Sequence, residues 1–154
     1  MLRAVPKHWF SSAYKVLEHN TAIAVIDPSW WREAGDLTIN GARYRVYREG
    51  LMSGAFVLEQ GSSILARAEK PSALYRSFLV EYDGVKYTLE AESVMYRKFA
   101  LSVDGKQIGS VYPEHALTRK AVIDFPHEIA LAVRIFMFWL VLIIWKREET
   151  TSGS

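Results

Sequence analysis

The sequence predicts a mainly β chain, a closed antiparallel barrel of about 12 strands threaded by a hydrophobic C-terminal α-helix. Three observations predict it. Asn40-Gly41, Asp83-Gly84 and Asp104-Gly105 each sit between two alternating apolar–polar runs, and such dipeptides supply the positive φ angles of the tight turns that join antiparallel strands. Residues 127–147 are apolar all round, with Arg134 the single charge from Ile129 to Trp145, so a helix there has to be enclosed on every side. The third observation is size. Twelve strands ~4.8 Å apart and tilted ~40° enclose a cylinder roughly 24 Å wide, whose inward side chains leave about 12 Å, the width of one helix. Eight strands would give roughly 16 Å and no room for it.

The elements follow in order. Residues 13–18 and 21–26 are β-like runs joined by His19-Asn20, and Asp27-Pro28-Ser29 ends the second. Ser29 to Glu33 has near-capping-box spacing and predicts a short turn of helix. Strands then run from Leu37 to Ile39 and from Ala42 to Arg48 about Asn40-Gly41. Ala55–Glu59 and Ile64–Glu69 flank a turn at Gln60-Gly61-Ser62. Two further hairpins turn at Asp83-Gly84 and Asp104-Gly105, and a last strand, Arg119–Phe125, leads into the helix through Pro126. Residues 1–147 read as a single barrel domain, with strands between 13 and 125, a central helix at 127–147 and a flexible polar tail at 148–154.

Lipid is the alternative enclosure for the helix, which would make the chain a C-terminally tail-anchored membrane protein with a small cytoplasmic β-domain. Ile129 to Trp145 spans roughly 25 Å as a helix, at the short end for a bilayer core of ~30 Å. A mid-helix arginine costs a span roughly 2.5–3.5 kcal/mol, softened by snorkelling towards one interface. The threaded barrel is preferred. Arg134 then needs a carboxylate or carbonyl partner inside the barrel or at its mouth, and Glu128, six residues back, does not reach it.

Composition narrows the function classes. A net charge of +2 without basic blocks gives no ground for a nucleic-acid partner. The absence of cysteine removes disulfides, thiolate zinc sites and cysteine nucleophiles. The N-terminus lacks the apolar core of a signal peptide, so a cytoplasmic location, with membrane association allowed, is expected. His8, His19, His115 and His127 have no metal-ligand spacing. Glu90 and Glu92 share a strand face without a companion His or Asp, and Ser62-Ser63 lacks a nucleophile elbow. No catalytic residue, metal or cofactor is expected, and the chain is read as a non-enzymatic monomer.

The strand meander, the motif Ile108-Gly109-Ser110-Val111 on a late strand, a final strand and a hydrophobic C-terminal helix together resemble the tubby C-terminal-like superfamily, which includes LURP-one-related proteins and phospholipid scramblases. The resemblance covers residues 36–147. It implies a twelve-stranded barrel around a central helix, and lipid or phosphoinositide binding as in the best-known members. The acidic calcium segment and the Pro- and Cys-rich regions of scramblases have no counterpart here, and the tubby phosphoinositide pocket does not match residue by residue.

An anionic phospholipid headgroup, or a protein partner at the cytoplasmic membrane face, is therefore the expected partner. Arg43 and Arg45 share one face of a strand, Arg48 follows them, and Arg97 with Lys98 are further headgroup candidates because guanidinium forks suit phosphate. The plainer reading of the arginine face, a solvated surface that discourages aggregation, outweighs the binding one. Trp30-Trp31 fits either a surface anchor or the core.

Overall fold

The computed structural model of the chain describes residues 1–50, 54–71, 76–93 and 97–152. Among these, twelve strands precede one helix: β1 (Leu2–Pro6), β2 (Tyr14–Glu18), β3 (Thr21–Ser29), β4 (Ala34–Ile39), β5 (Ala42–Arg48), β6 (Ala55–Gln60), β7 (Ser63–Glu69), β8 (Ser77–Tyr82), β9 (Val85–Ala91), β10 (Phe99–Val103), β11 (Lys106–Pro113), β12 (Ala121–Asp124) and α1 (Leu131–Ser152). Each strand pairs antiparallel with its neighbours in sequence, and β1 pairs with β12, so the meander closes into a barrel with no open edge. The seam aligns Leu2 with Ile123 and Ala4 with Ala121.

The tight turns form where the local sequence specifies them. Asn40 and Gly41 have φ of 48° and 84°, the pair of left-handed conformations that matches the twist of the flanking strands. The Asp-Gly pairs and His19-Asn20 turn the same way. Register shifts at Val16/Leu17, Leu58/Glu59 and Leu101/Ser102 mark bulges, which add the local bend that a closing sheet needs. The third shift sets Leu101 against Gly109 and Ser102 against Gln107, leaving Ile108 as the extra residue. Gly109 has a steric role there. A Cβ on it would lie 2.5 Å from the Asp124 carbonyl and 3.0 Å from the Phe125 ring, where the chain leaves β12 for the helix.

Alternate residues point inwards, among them Leu2, Ala4, Val16, Ile26, Leu37, Val46, Phe56, Leu58, Phe78, Leu89, Phe99, Leu101 and Ile123, and they surround α1 in one continuous core. Every residue from Ala132 to Trp145 is buried. Trp139 sits mid-helix, edge-on to Phe56 at 5.9 Å and stacked on Phe136 at 6.0 Å. Protein therefore encloses this helix, and among the described residues no helix is long and apolar enough to cross a membrane.

Several boundaries differ from the sequence reading. The strands begin at Leu2, not at 13, because β1 supplies the closing strand. β3 continues through Asp27-Pro28-Ser29, and β4 starts at Ala34, not Leu37. Ser29 to Glu33 is a tight turn rather than a helix, with the Arg32 and Glu33 amides bonding the Ser29 and Trp30 carbonyls. The last strand is shorter than expected, Ala121–Asp124.

The helix starts at Leu131 rather than 127. Residues 126–130 carry the chain from the barrel wall towards its axis, turning through Ile129 N–H to Pro126 C=O. The first helical bonds come from Val133 and Arg134 to the Ala130 carbonyl, both at 3.0 Å. The helix also runs past 147 to Ser152, so the expected polar tail is helical as far as it is described; 153–154 lie outside the described residues. No Gly or Pro interrupts that stretch, and Lys146 pairs with Glu149 one turn on. Arg134 finds a carbonyl partner, its Nε donating to Ile129 O at 2.8 Å. Burial pushes its guanidinium below the usual arginine range, and Glu18 opposes the shift.

Candidate functional site at the loop end of the barrel

The meander gives the barrel two unlike ends. The turns β2–β3, β4–β5, β6–β7, β8–β9 and β10–β11 gather at one end, where α1 enters from β12. The connections β1–β2, β3–β4 and β11–β12 gather at the other, where α1 emerges. These are the hairpin end and the loop end.

The structure divides the arginines singled out from the sequence. Arg43 and Arg45 lie exposed on the outer wall, on β5, as alternation requires. Their groove also holds Asp27, Asp36 and Glu59, and the register sets Arg45 between Asp36 on β4 and Glu59 on β6. Tyr47 donates to Glu59 at 2.7 Å. Carboxylates thus match the cations on this face. Arg48 is ion-paired with Glu33 at 3.0 Å.

Arg97 and Lys98 lie in the β9–β10 connection at the loop end, and the sheet order β10-β9-β8-β7-β6-β5 separates them from the first pair. Lys98 reaches Glu92 at 3.6 Å. Arg97 instead lies over the Trp145 ring at 4.5 Å and donates from Nη1 to the Thr118 carbonyl at 3.1 Å. Trp145 completes the arrangement, its Nε1 donating to the Arg97 carbonyl at 3.0 Å.

Arg97 and Arg119 both line a cleft of about 220 Å³, together with Ser12, Tyr14, Trp30 and the last buried turn of α1. Arg119 is held as firmly as Arg97. Its Nη2 donates to Ser11 O at 2.5 Å and its Nη1 to Trp9 O at 3.4 Å, and the guanidinium lies over the Tyr14 ring at 5.6 Å. Among the described residues, neither Arg97 nor Arg119 takes part in an ion pair with a carboxylate. Lys146 and Glu149, paired at 3.6 Å, flank the opening. The lining therefore carries Arg97, Arg119 and Lys146 against the single carboxylate of Glu149. Burial pushes the Tyr14 phenol up, and Arg119 and Arg97 oppose the shift.

Of the headgroup candidates read from sequence, only Arg97 joins this cleft. Arg119, Tyr14 and Trp145 went unnoticed as site residues, and no local pattern marks them; closure of the barrel alone brings them together. The tryptophan pair splits, with Trp30 packed against the core and Trp31 exposed beneath Arg32. Glu90 is exposed on β9, and no group of three His, Cys, Asp or Glu able to hold a metal forms among the described residues. No family model, curated protein or solved structure matches the chain.

Proposed function

We propose that the chain is a non-enzymatic barrel module that binds the phosphate headgroup of an anionic phospholipid at a membrane face, in the loop-end cleft between Arg97 and Arg119. One observation carries this reading: two arginines line one cleft, and among the described residues neither has a carboxylate partner. An arginine fork matches the oxygens of a phosphate and remains charged at every physiological pH. Both guanidiniums are positioned before any ligand arrives, by backbone carbonyls and by Trp145 and Tyr14 beneath them. Little side-chain freedom is then lost on binding. Each Arg bonds carbonyls through part of its five-donor set and keeps N–H groups for a ligand. Tyr14 and Ser12 line the same space. The outer-wall arginines support the reading less well, because Asp27, Asp36 and Glu59 share their groove. The tubby-like resemblance points to the same ligand class.

The test is calorimetric titration of the full chain with glycerol phosphate, the soluble part of a phospholipid headgroup. Arg97→Gln removes one charge-assisted pair and is expected to weaken binding by roughly 10–100-fold. Arg43→Gln is expected to leave it unchanged. Equal binding by wild type and Arg97→Gln, or no binding by either, would overturn the reading.

A further inference from the structure

We infer that the loop end is a membrane-docking surface, in which Trp9, Phe10, Trp31 and Leu117 enter the headgroup region of an anionic bilayer and hold the cleft against it. The inference rests on the headgroup reading for its choice of phospholipid as partner, and on separate residues for its geometry. Trp9, Phe10, Trp31 and Leu117 are 86, 94, 81 and 99% exposed, the largest values among the exposed large apolar side chains of the described residues. They belong to three connections, β1–β2, β3–β4 and β11–β12, that are consecutive around the rim because the sheet runs β11-β12-β1-β2-β3-β4. The hairpin end is built differently, from His19-Asn20, Asn40-Gly41, Asp83-Gly84 and Asp104-Gly105.

The exposure is held by structure. Lys7 N–H bonds the Ala13 carbonyl at 2.9 Å and Ser11 N–H bonds the His8 carbonyl at 3.2 Å, which pins the loop carrying Trp9 and Phe10. Arg119 ties the same loop to the β11–β12 connection through the Trp9 and Ser11 carbonyls. That second connection is closed by Glu114 N–H to Lys120 O at 2.9 Å and Thr118 N–H to His115 O at 3.4 Å. Rings presented outward on a braced frame lose little freedom when they are buried.

Charge selects the partner. Residues 7–13, 30–33 and 114–120 carry Lys7, Arg32, Arg119 and Lys120 against Glu33 and Glu114. Both carboxylates are already ion-paired, Glu33 with Arg48 and Arg147 and Glu114 with Arg3. The four apolar groups therefore stand among cations, the composition that partitions into an anionic interface. Trp9 and Leu117 flank one groove, Trp31 another and Phe10 the cleft itself. The apolar groups are thus spread around the rim over three loops, a shape that a deformable lipid surface accommodates. Phe10 also lines the cleft, so seating the rim would bring headgroups to Arg97 and Arg119, with the barrel's hairpin end facing away.

Flotation of the full chain with phosphatidylcholine vesicles, with and without phosphatidylserine, tests this against the triple variant Trp9→Ser/Trp31→Ser/Leu117→Ser. Wild type is expected to float with the anionic vesicles only, with tryptophan emission quenched by brominated acyl chains. The triple variant is expected to lose vesicle affinity by roughly 10-fold or more while its thermal midpoint and glycerol phosphate binding stay unchanged. Equal flotation by the variant would overturn the docking surface. So would wild type that binds glycerol phosphate yet stays off anionic vesicles; phosphate binding in the cleft would then stand without its membrane, and the rim would fit a protein partner. Flotation that needs the three side chains, without glycerol phosphate binding, would uphold the surface and remove the cleft's assigned ligand.

Discussion

At the scale of single residues, two polar groups of the core, on Trp139 and Arg134, have opposite consequences. The indole N–H of Trp139 is buried and has no hydrogen-bond partner among the described residues, although buried tryptophans usually find one. Trp139→Phe removes that orphan donor at the expense of a small void, so stability measured by urea denaturation is expected to change by no more than about 1 kcal/mol. Trp139→Ala empties the middle of the barrel and is expected to cost about 3–5 kcal/mol. Arg134 is the converse case, because its guanidinium is bonded to the Ile129 carbonyl and supported by Glu18. Arg134→Met keeps the apolar stem, relieves some desolvation and leaves that carbonyl without its donor. The lost bond is expected to prevail, lowering stability by about 1–3 kcal/mol in the same measurement.

Among the elements, β1 decides whether the barrel closes. It contributes Leu2 and Ala4 to the core and pairs with both β2 and β12. Outside the sheet, Arg3 on β1 donates to Glu114, just beyond β11, at 2.6 Å. The Arg3 guanidinium holds the Glu114 carboxyl below the usual carboxylate range. A carboxyl with a depressed folded-state pKa stabilises above its unfolded pKa, and the contribution disappears as pH falls through the folded value. The seam is therefore expected to weaken on acidification below the ordinary carboxylate range. Glu114→Gln is expected to reduce stability at neutral pH and to narrow its gap to wild type as pH falls. Thermal midpoints of both proteins across an acid series check this, and a gap that widens towards low pH would contradict it.

The elements also differ in how legible they were. The hairpins at Asn40-Gly41, Asp83-Gly84 and Asp104-Gly105 could be read because a two-residue turn demands particular residues locally. β1 could not. Its five residues, Leu2 to Pro6, include a small inward Ala4 and end in proline, and its value as a strand lies in β12, more than a hundred residues along the chain. The helix was visible from its composition, while its ends were set by events outside that composition. The crossing from wall to axis delayed its start, and the absence of a stop residue before Gly153 let it continue past its apolar run.

For the molecule as a whole, closure creates the site. Tyr14, Arg97, Arg119 and Trp145 are scattered along the sequence and meet only where the loop end surrounds the emerging helix. Of these, Arg97 alone was picked out beforehand, on its residue type. The apolar helix fills the barrel, so binding is confined to its mouths and outer wall, and the loop end is where two arginines without a carboxylate partner among the described residues coincide with exposed rings.

The most direct test follows the two indole N–H signals of Trp145 and Trp139 in the ¹⁵N-labelled chain as glycerol phosphate is added. Trp145 donates to the Arg97 carbonyl beside the cleft, whereas Trp139 lies sealed in the core. The proposed function predicts that the Trp145 signal moves in a saturable manner, that Trp139 stays in place, and that Arg97→Gln pushes the movement to roughly 10–100-fold higher concentration. A stationary Trp145, with shifts gathered instead at Arg43 and Arg45 on the outer wall, would contradict it.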